Sequence, residues 1–222
     1  MSELRLRKLI VSSLAGIILL IALYNLWAYQ GTLLASLIKD SPTDNPHRPI
    51  ESVFKENGIS DRTEVWLEIV KSKNTLTVYS AQRAIKTYQV ALGKDYLEKQ
   101  KAGDKRTPAG EYMITGKKVF SPPKRFLGSY VLQLNYPNTQ DALRGLKQGL
   151  ITGSDFLAIE QANENKSTPP QDTSLGGGIY IHGGGGPFMG SSWTGGSIAL
   201  YSKDAGELFG IVDAGTRVII RM

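Results

Sequence analysis

Apolar and polar residues alternate along several segments after residue 64, and this pattern predicts β-strands. The segments VWLEIV (65–70) and TLTVYS (75–80) flank a short polar turn, so we expect them to form a half-buried hairpin. Six further strands are predicted from alternating or short apolar runs: KTYQVAL (86–92), EYMITG (111–116), YVLQLN (130–135), GIYIH (178–182), SIALY (197–201) and RVII (217–220).

Helical patterns are fewer and shorter than the strands. We predict helices at 141–150, 156–165 and 203–214, and a possible short helix at 50–59. Because strands dominate and few helices connect them, the pattern indicates a mainly β fold, a β-dominated sandwich, and excludes a doubly wound parallel sheet.

An uncharged apolar segment near the N-terminus predicts a transmembrane helix. Residues 9–29 contain no charged side chain and consist mostly of Leu, Ile, Val and Ala. At 1.5 Å per residue a helix of this length spans roughly 30 Å, the thickness of a bilayer's hydrocarbon core. Two arginines and a lysine in residues 1–8 predict that this end is cytoplasmic and that the rest of the chain is extracytoplasmic. A cleaved signal peptide is the alternative, although Leu26-Trp27-Ala28 is a poor cleavage site.

Between the predicted anchor and the strands lies a predicted linker, residues 30–63. Its centre, SPTDNPHRPI (41–50), has three prolines among polar residues, which is typical of an extended segment. His47 lies in this segment, where a solvated side chain is expected. The globular domain is therefore predicted to occupy residues 64–222, enough for a hydrophobic core.

Composition narrows the possible chemistry. The formal net charge of +6 is a mild excess without a basic stripe interleaved with aromatics, so no nucleic-acid partner is predicted. The chain has no cysteine, which excludes disulfides, thiolate metal ligands and a cysteine nucleophile. With a single histidine in the domain as well, we predict neither a metal site nor a cofactor.

That histidine, His182, begins the most unusual segment of the chain. It ends a predicted strand and is followed by a glycine-rich run that reaches Ser197, at the start of the next predicted strand. Glycines let main-chain N–H groups approach an oxyanion, and a histidine beside a serine is the minimal base–nucleophile pair for acyl transfer. A surface loop with a structurally satisfied histidine is the alternative, which composition alone favours. Neither a P-loop nor a G-x-S-x-G elbow is present.

A second charged segment precedes these residues. Lys117, Lys118, Lys124 and Arg125 flank Phe120 and a Pro-Pro pair, and we interpret the segment as a basic loop between two strands. A solvated surface is the expected role, with binding of an anionic carboxylate or phosphate as the alternative.

The ordered motifs resemble those of the YkuD-type L,D-transpeptidase catalytic domain. IYIHG (179–183) and WTGGSIAL (193–200) are similar to the family signature, a His-Gly followed by Ser/Thr-x-Gly-Cys-Ile. GDKRTPAGEYMI (103–114), LNYPNTQDA (134–142) and ELFGIVDAGTRVII (207–220) resemble further family segments, so the similarity extends over nearly the whole domain.

This resemblance implies an L,D-transpeptidase-like β-sandwich that acts on peptidoglycan. In the family a cysteine attacks the L,D bond of a tetrapeptide stem, releases D-alanine, and transfers the acyl group to an amine on another stem or on a lipoprotein. The implied functions are 3-3 cross-linking, lipoprotein attachment or its hydrolysis. Peptidoglycan stem peptides are the expected partners, with an outer-membrane lipoprotein as a further candidate. The expected location is the inner membrane, single-pass, with the domain in the periplasm.

The resemblance also assigns site residues. His182 corresponds to the general base and Ser197 to the nucleophile position. Main-chain N–H groups of Gly196 and Ser197 are expected near the oxyanion. The remaining oxyanion or substrate-binding candidates are Gly195, Thr194, Trp193 and Gly183.

Serine at position 197 departs from the family pattern. A free thiol is about 3% ionised at pH 7, whereas a hydroxyl is almost never ionised and requires an oriented base. A carboxylate that orients His182 is not evident nearby in the sequence, and Asp155 and Asp172 are the distant candidates. Three interpretations follow: Ser197 is a working nucleophile, the domain is a catalytically silent peptidoglycan-binding relative, or the serine was introduced in place of a cysteine.

Overall fold

The structure, a computed structural model, describes residues 48–186 and 189–222. The predicted cytoplasmic segment, the anchor at 9–29, His47 and most of the predicted linker lie outside the described residues. Within the described ranges no helix is both long enough and apolar enough to cross a membrane.

Eight strands and four α-helices make up the described chain. The strands are β1 (Val65–Val70), β2 (Thr75–Ser80), β3 (Arg83–Gln89), β4 (Gly110–Lys124), β5 (Gly128–Leu134), β6 (Tyr180–Gly185), β7 (Ile198–Tyr201) and β8 (Arg217–Arg221). The helices are α1 (Ile50–Glu56), α2 (Thr139–Lys147), α3 (Gly153–Glu164) and α4 (Ser202–Ile211), and a short 3₁₀ turn occupies Lys71–Lys73. The prediction of a mainly β fold with a few short helices is thus confirmed.

The strands form one connected sheet in the order β3-β2-β1-β8-β4-β5-β6-β7. The start of β4 pairs with β8, and its remainder pairs with β5, so this long strand belongs to both halves of the sheet. The two ends of the sheet also meet, because Ala91, just after β3, exchanges two main-chain hydrogen bonds with Ala199 of β7. One hydrophobic core contains side chains from both halves.

The β1–β2 hairpin shows why the sequence pattern was informative here. Every second residue of each strand is buried, and the two strands pair antiparallel from Val65–Ser80 to Val70–Thr75. Asn74 adopts a left-handed conformation with φ of 51°, which Asn tolerates better than most residues, and this ends the 3₁₀ turn between the strands.

Helix α1 belongs to the folded domain, although it lies in the predicted linker. Ile50 and Phe54, one helical turn apart, are 1% and 0% exposed and pack in the main core. The ordered domain therefore begins before residue 64.

The basic segment at 117–125 is not a loop, which corrects the sequence interpretation. Lys117, Lys118 and Lys124 all lie in β4, which continues to residue 124 and forms a hairpin with β5. The predicted strand ended at Gly116 because the prolines and charges that follow lack a buried alternation. A strand exposed at a hairpin end needs no such alternation, since its main chain is satisfied by the partner strand.

Helix α4 covers one face of β5 and β6. The Phe209 ring lies 5.2 Å from the Tyr130 ring, centre to centre. A Cβ placed on Gly183 would lie 3.4 Å from Ala205 Cβ. The opposite face of these two strands is therefore the one available to a ligand.

Candidate active site

His182 and Ser197 line the same cavity, which has a volume of about 280 Å³. Its other lining residues are Phe126, Leu127, Trp193, Thr194 and Gly195. Five of the seven predicted site residues therefore meet at one cavity. Gly183 and Gly196 do not line it, but each is adjacent in sequence to a residue that does.

The pairing of β6 with β7 brings the histidine and the serine together. These two strands are parallel, with Ile181 opposite Ile198 and His182 opposite Ala199. Ser197 directly precedes β7, so it lies at the N-terminal end of the strand that pairs with the strand of His182. A parallel pair requires a crossover connection, and the glycine-rich segment supplies it.

The main chain next to His182 fixes its tautomer. Its Nδ1 is hydrogen-bonded to the Gly183 carbonyl oxygen. Because a carbonyl oxygen can only accept, Nδ1 carries the proton and Nε2 carries the lone pair. Burial lowers the pKa of His182 below its usual value of 6.5, with the Gly183 hydrogen bond acting in the opposite direction. The imidazole is thus neutral at pH 7 and has a basic nitrogen.

The orienting group is therefore a carbonyl and not a carboxylate, which corrects the sequence hypothesis about Asp155 and Asp172. Asp155 instead belongs to the capping box at the start of α3, where it accepts from Thr152. Among the hydrogen bonds within residues 48–186 and 189–222, none joins either aspartate to His182. The sequence alone could not show that the partner of His182 Nδ1 is the carbonyl oxygen of the next residue, Gly183.

The Ser197 hydroxyl forms two hydrogen bonds with main-chain groups, one at the first residue of β6 and one just before it. It accepts from the Tyr180 N–H at 3.1 Å and donates to the Gly178 carbonyl at 3.2 Å. Among the hydrogen bonds of the described residues, none joins Ser197 to His182. The two side chains line the same cavity, but within the described chain the Ser197 hydroxyl is not hydrogen-bonded to His182, its predicted base.

A compact turn over residues 194–197 fixes the main-chain conformation just before Ser197. The buried Thr194 hydroxyl donates to the Ser197 carbonyl at 2.6 Å and accepts from the Gly196 N–H at 3.1 Å. The Gly196 N–H is therefore already satisfied, which does not support the oxyanion role predicted for it. Thr194 emerges as the residue that closes the turn.

The loop between β3 and β4, residues 90–109, supports this turn from the other side. Thr194 exchanges main-chain hydrogen bonds with Leu92 and Lys94. The Arg106 carbonyl lies so close to Gly196 that a Cβ there would be 2.6 Å from it. The loop thus passes Gly196 at a distance that only glycine permits.

Sequence reasoning about the site missed this loop. Lys99 and Asp104 form a 2.8 Å ion pair inside it, with side chains only 3% and 7% exposed. The Asp104 carboxylate also accepts from the N–H groups of Gln100, Lys101 and Arg106. The signal in the sequence is the GDKRTPAGEYMI segment, whose resemblance to the family indicates the fold but not these contacts.

Trp193 forms the side of the cavity next to the histidine. The two rings meet edge to face with centres 6.3 Å apart. The indole Nε1 is buried and has no hydrogen-bond partner among the described residues. Trp193 therefore restricts the space around His182 through its ring.

The part of the chain that the structure describes contains no group of three or more His, Cys, Asp or Glu side chains arranged to hold a metal ion.

Known proteins provide an independent comparison. A family model for the L,D-transpeptidase catalytic domain (YkuD) matches residues 64–220. Comparison with curated proteins gives no match.

Three solved structures are similar to this chain at 15–20% sequence identity. The helical cell shape determining protein Pgp2 from Campylobacter jejuni is 20% identical, with a TM-score of 0.46, over 77% of this chain and 54% of that one. An L,D-transpeptidase from Mycobacterium tuberculosis H37Rv is 15% identical, with a TM-score of 0.43, over 72% and 58%. Bd1075 from Bdellovibrio bacteriovorus is 20% identical, with a TM-score of 0.46, over 71% and 47%.

The chain thus spans roughly half the length of these solved chains. The family assignment rests on the family model, which covers well over half of the chain and includes every residue of the cavity described above. The chain belongs to the L,D-transpeptidase catalytic domain (YkuD) family, which functions in peptidoglycan metabolism.

Proposed function

We propose that this protein catalyses acyl transfer on peptidoglycan tetrapeptide stems, with Ser197 as nucleophile and His182 as general base. The observation that carries the proposal is the shared cavity, in which a serine hydroxyl lies with a neutral imidazole whose Nε2 holds a lone pair. This is the pair that an oxygen nucleophile requires, because a hydroxyl must lose its proton during the attack.

The proposed reaction has two halves. The Ser197 Oγ attacks the carbonyl carbon of the L,D bond, and its proton passes to His182 Nε2. The tetrahedral intermediate collapses, the C–N bond breaks, and the imidazolium returns the proton to the departing D-alanine amine. An amine or a water molecule then attacks the serine ester by the same route in reverse, which gives a cross-link or a hydrolysed stem.

The hydroxyl must first leave its main-chain partners. Rotation of the Ser197 side chain would break its hydrogen bonds with Gly178 and Tyr180. Each such bond contributes about 1 kcal/mol net, so the rotation costs on the order of 2 kcal/mol, an amount that substrate binding can offset.

We also propose that residues 9–29 anchor the protein in the inner membrane, with the domain in the periplasm. The support is the uncharged apolar run and the basic residues before it. In this location the domain would reach stem peptides and, as a possible acyl acceptor, an outer-membrane lipoprotein.

A second candidate function is peptidoglycan binding without turnover. The observation that favours it is the Ser197 hydroxyl itself, since both of its hydrogen bonds are to the main chain and none is to His182. In that case the hydroxyl would join the main chain around β6 to the segment before β7, and the cavity would bind stem peptides without cleaving them.

Turnover of a defined stem distinguishes the two functions. The full chain, Ser197→Ala and Ser197→Cys would each be incubated with murein disaccharide-tetrapeptide, and the products and the intact protein mass would be measured by mass spectrometry. Acyl transfer through Ser197 predicts loss of D-alanine with the natural chain and none with Ser197→Ala. Equal product from these two proteins would refute it. Activity gained only in Ser197→Cys would support the binding function, with an otherwise competent site.

A further inference from the structure

A second cavity, of about 300 Å³, lies beside the first, and Leu127 lines both. Its lining comprises Gly116, Lys117, Lys118, Phe120, Leu127, Val131, Gln133 and Tyr180. We call it the hairpin cavity because most of these residues belong to β4 and β5.

Strand register places this cavity on the same face of the sheet as His182. Lys118 pairs with Val131, and Val131 pairs with His182, so the three residues form one row across β4, β5 and β6. Directly paired residues direct their side chains to the same face. Because neighbouring strands are about 4.8 Å apart, the Cα atoms of Lys118 and His182 are separated by roughly 10 Å.

A second row extends the same face. Gly116 pairs with Gln133, and Gln133 pairs with Tyr180, two residues along each strand from the first row. Residues two apart on a strand share a face. Helix α4 packs against the other face, as its ring contact with Tyr130 shows. The hairpin cavity therefore continues from the active-site face without a helix covering it.

The charge of the hairpin cavity is positive. Its lining includes no aspartate or glutamate, and of its two lysines only Lys118 is on the His182 face, since Lys117 pairs with Leu132 and contacts Phe209 of α4. Lys117 donates to Asp213 and to the Val212 carbonyl. Lys118 is exposed, stacks on Phe120 with its Nζ 4.9 Å from the ring centre, and has no carboxylate partner among the described residues.

Tyr180 adds a neutral donor and links the two cavities. Within the described chain its hydroxyl forms no hydrogen bond, while its main-chain N–H donates to the Ser197 Oγ. A ligand group bound by the Lys118 ammonium and the Tyr180 hydroxyl would thus lie in the cavity that adjoins the one lined by Ser197. Phe120, Leu127 and Val131 would contact the apolar part of such a ligand.

From these contacts we propose that the hairpin cavity binds a carboxylate of the peptide whose reacting carbonyl lies at Ser197, with Lys118 and Tyr180 as the donors. This inference rests on the proposed function, because it takes the stem peptide as the ligand. It adds a specificity determinant: a stem with a free carboxylate is bound in preference to the same stem with a carboxamide.

The test measures binding without turnover. The full chain carrying Ser197→Ala would be titrated by calorimetry with murein disaccharide-tetrapeptide and with the same compound after its carboxylates are converted to carboxamides. Lys118→Ala would be compared with Lys124→Ala. Both lysines lie on β4 and both stack on Phe120, but only Lys118 lines the cavity. Thermal unfolding would verify that both variants fold.

We expect Lys118→Ala to weaken binding of the carboxylate form roughly three- to tenfold, which is the range for a partly exposed charge-assisted contact. Lys124→Ala should change it less than twofold. Tyr180→Phe should weaken binding of the carboxylate form more than that of the carboxamide, because the hydroxyl forms the stronger hydrogen bond with a charged acceptor. Because the Lys118 contact is electrostatic, its effect should diminish at high salt.

Two results would overturn the inference while leaving the proposed function intact: an equal effect of Lys118→Ala on the carboxylate and carboxamide forms, or equal effects of the two lysine substitutions. If the Ser197→Ala chain binds neither compound, stem peptides are not its ligand, and both the proposed function and this inference fail.

Discussion

Replacement of Gly196 by alanine tests whether the site depends on the close approach of the β3–β4 loop. Gly196 has a φ of 131°, which side chains with a Cβ rarely adopt. The added Cβ would lie 2.6 Å from the Arg106 carbonyl oxygen and 3.1 Å from Ile179 Cδ1. The first contact is with main chain, and hydrogen bonds from the Arg106 side chain to Asp95 and to the Glu98 carbonyl hold that loop in place.

Two energetic costs determine the expected loss of unfolding free energy in Gly196→Ala. Backbone strain at such a φ costs about 1–3 kcal/mol. Overpacking against a fixed main chain costs a further 1–3 kcal/mol or so. We therefore expect Gly196→Ala to reduce the free energy of unfolding by about 3 kcal/mol and to displace Ser197, with loss of any activity.

Gly195 provides the matched control for this measurement. It is exposed, has no positive φ, and a Cβ there would meet no atom within 4 Å. Gly195→Ala should therefore change the free energy of unfolding by no more than about 0.5 kcal/mol. Denaturant titration monitored by circular dichroism measures both variants. Equal stabilities would show that the turn does not need the glycine and that the loop does not constrain it.

Three further predictions concern the surroundings of the site. Thr194→Val removes the hydroxyl that donates to the Ser197 carbonyl and should cost about 1–3 kcal/mol of unfolding free energy, whereas Thr194→Ser should retain most of it. Burial lowers the pKa of His182, so its contribution to stability is present above pH 6.5 and is lost as the pH falls below that value. The acid limb of kcat/KM should likewise lie below pH 6.5, and a limb above it would contradict the buried neutral imidazole. Asp104→Asn leaves a buried lysine unpaired and should cost about 3 kcal/mol in a denaturant titration, while Asp213→Asn, at an exposed ion pair, should cost less than about 1 kcal/mol. Similar costs for the two aspartates would contradict this account of the loop.

The sequence alone determined most of the secondary structure. The alternation in VWLEIV and TLTVYS predicted β1 and β2 with the bounds observed, because every second side chain in these strands is buried and periodicity reports burial directly. The extension of β4 to Lys124 was missed, since a strand that projects from the sheet leaves no apolar alternation to detect.

The resemblance of the sequence motifs to the family also predicted His182 and Ser197 as base and nucleophile, and both residues line one cavity in the structure. The motifs could suggest this pair because they are short, local stretches of sequence. The contacts of these residues were not local. The Gly183 carbonyl at His182 Nδ1 and the main chain at the Ser197 hydroxyl follow from how β6 and β7 pair, which no spacing rule specifies.

Only the tertiary structure distinguished the two glycines before Ser197. From the sequence, Gly195 and Gly196 were both candidates for oxyanion or substrate binding, with the N–H of Gly196 expected near the oxyanion. In the fold, Gly195 is exposed and lines the cavity, whereas Gly196 lies against a loop some 90 residues away in the chain, and its N–H is bonded to Thr194. The sequence thus determined which strands form and, through the resemblance, which residues are the catalytic candidates. The packing of distant segments decided which main-chain groups hold those residues and which face of the sheet remains open to a ligand.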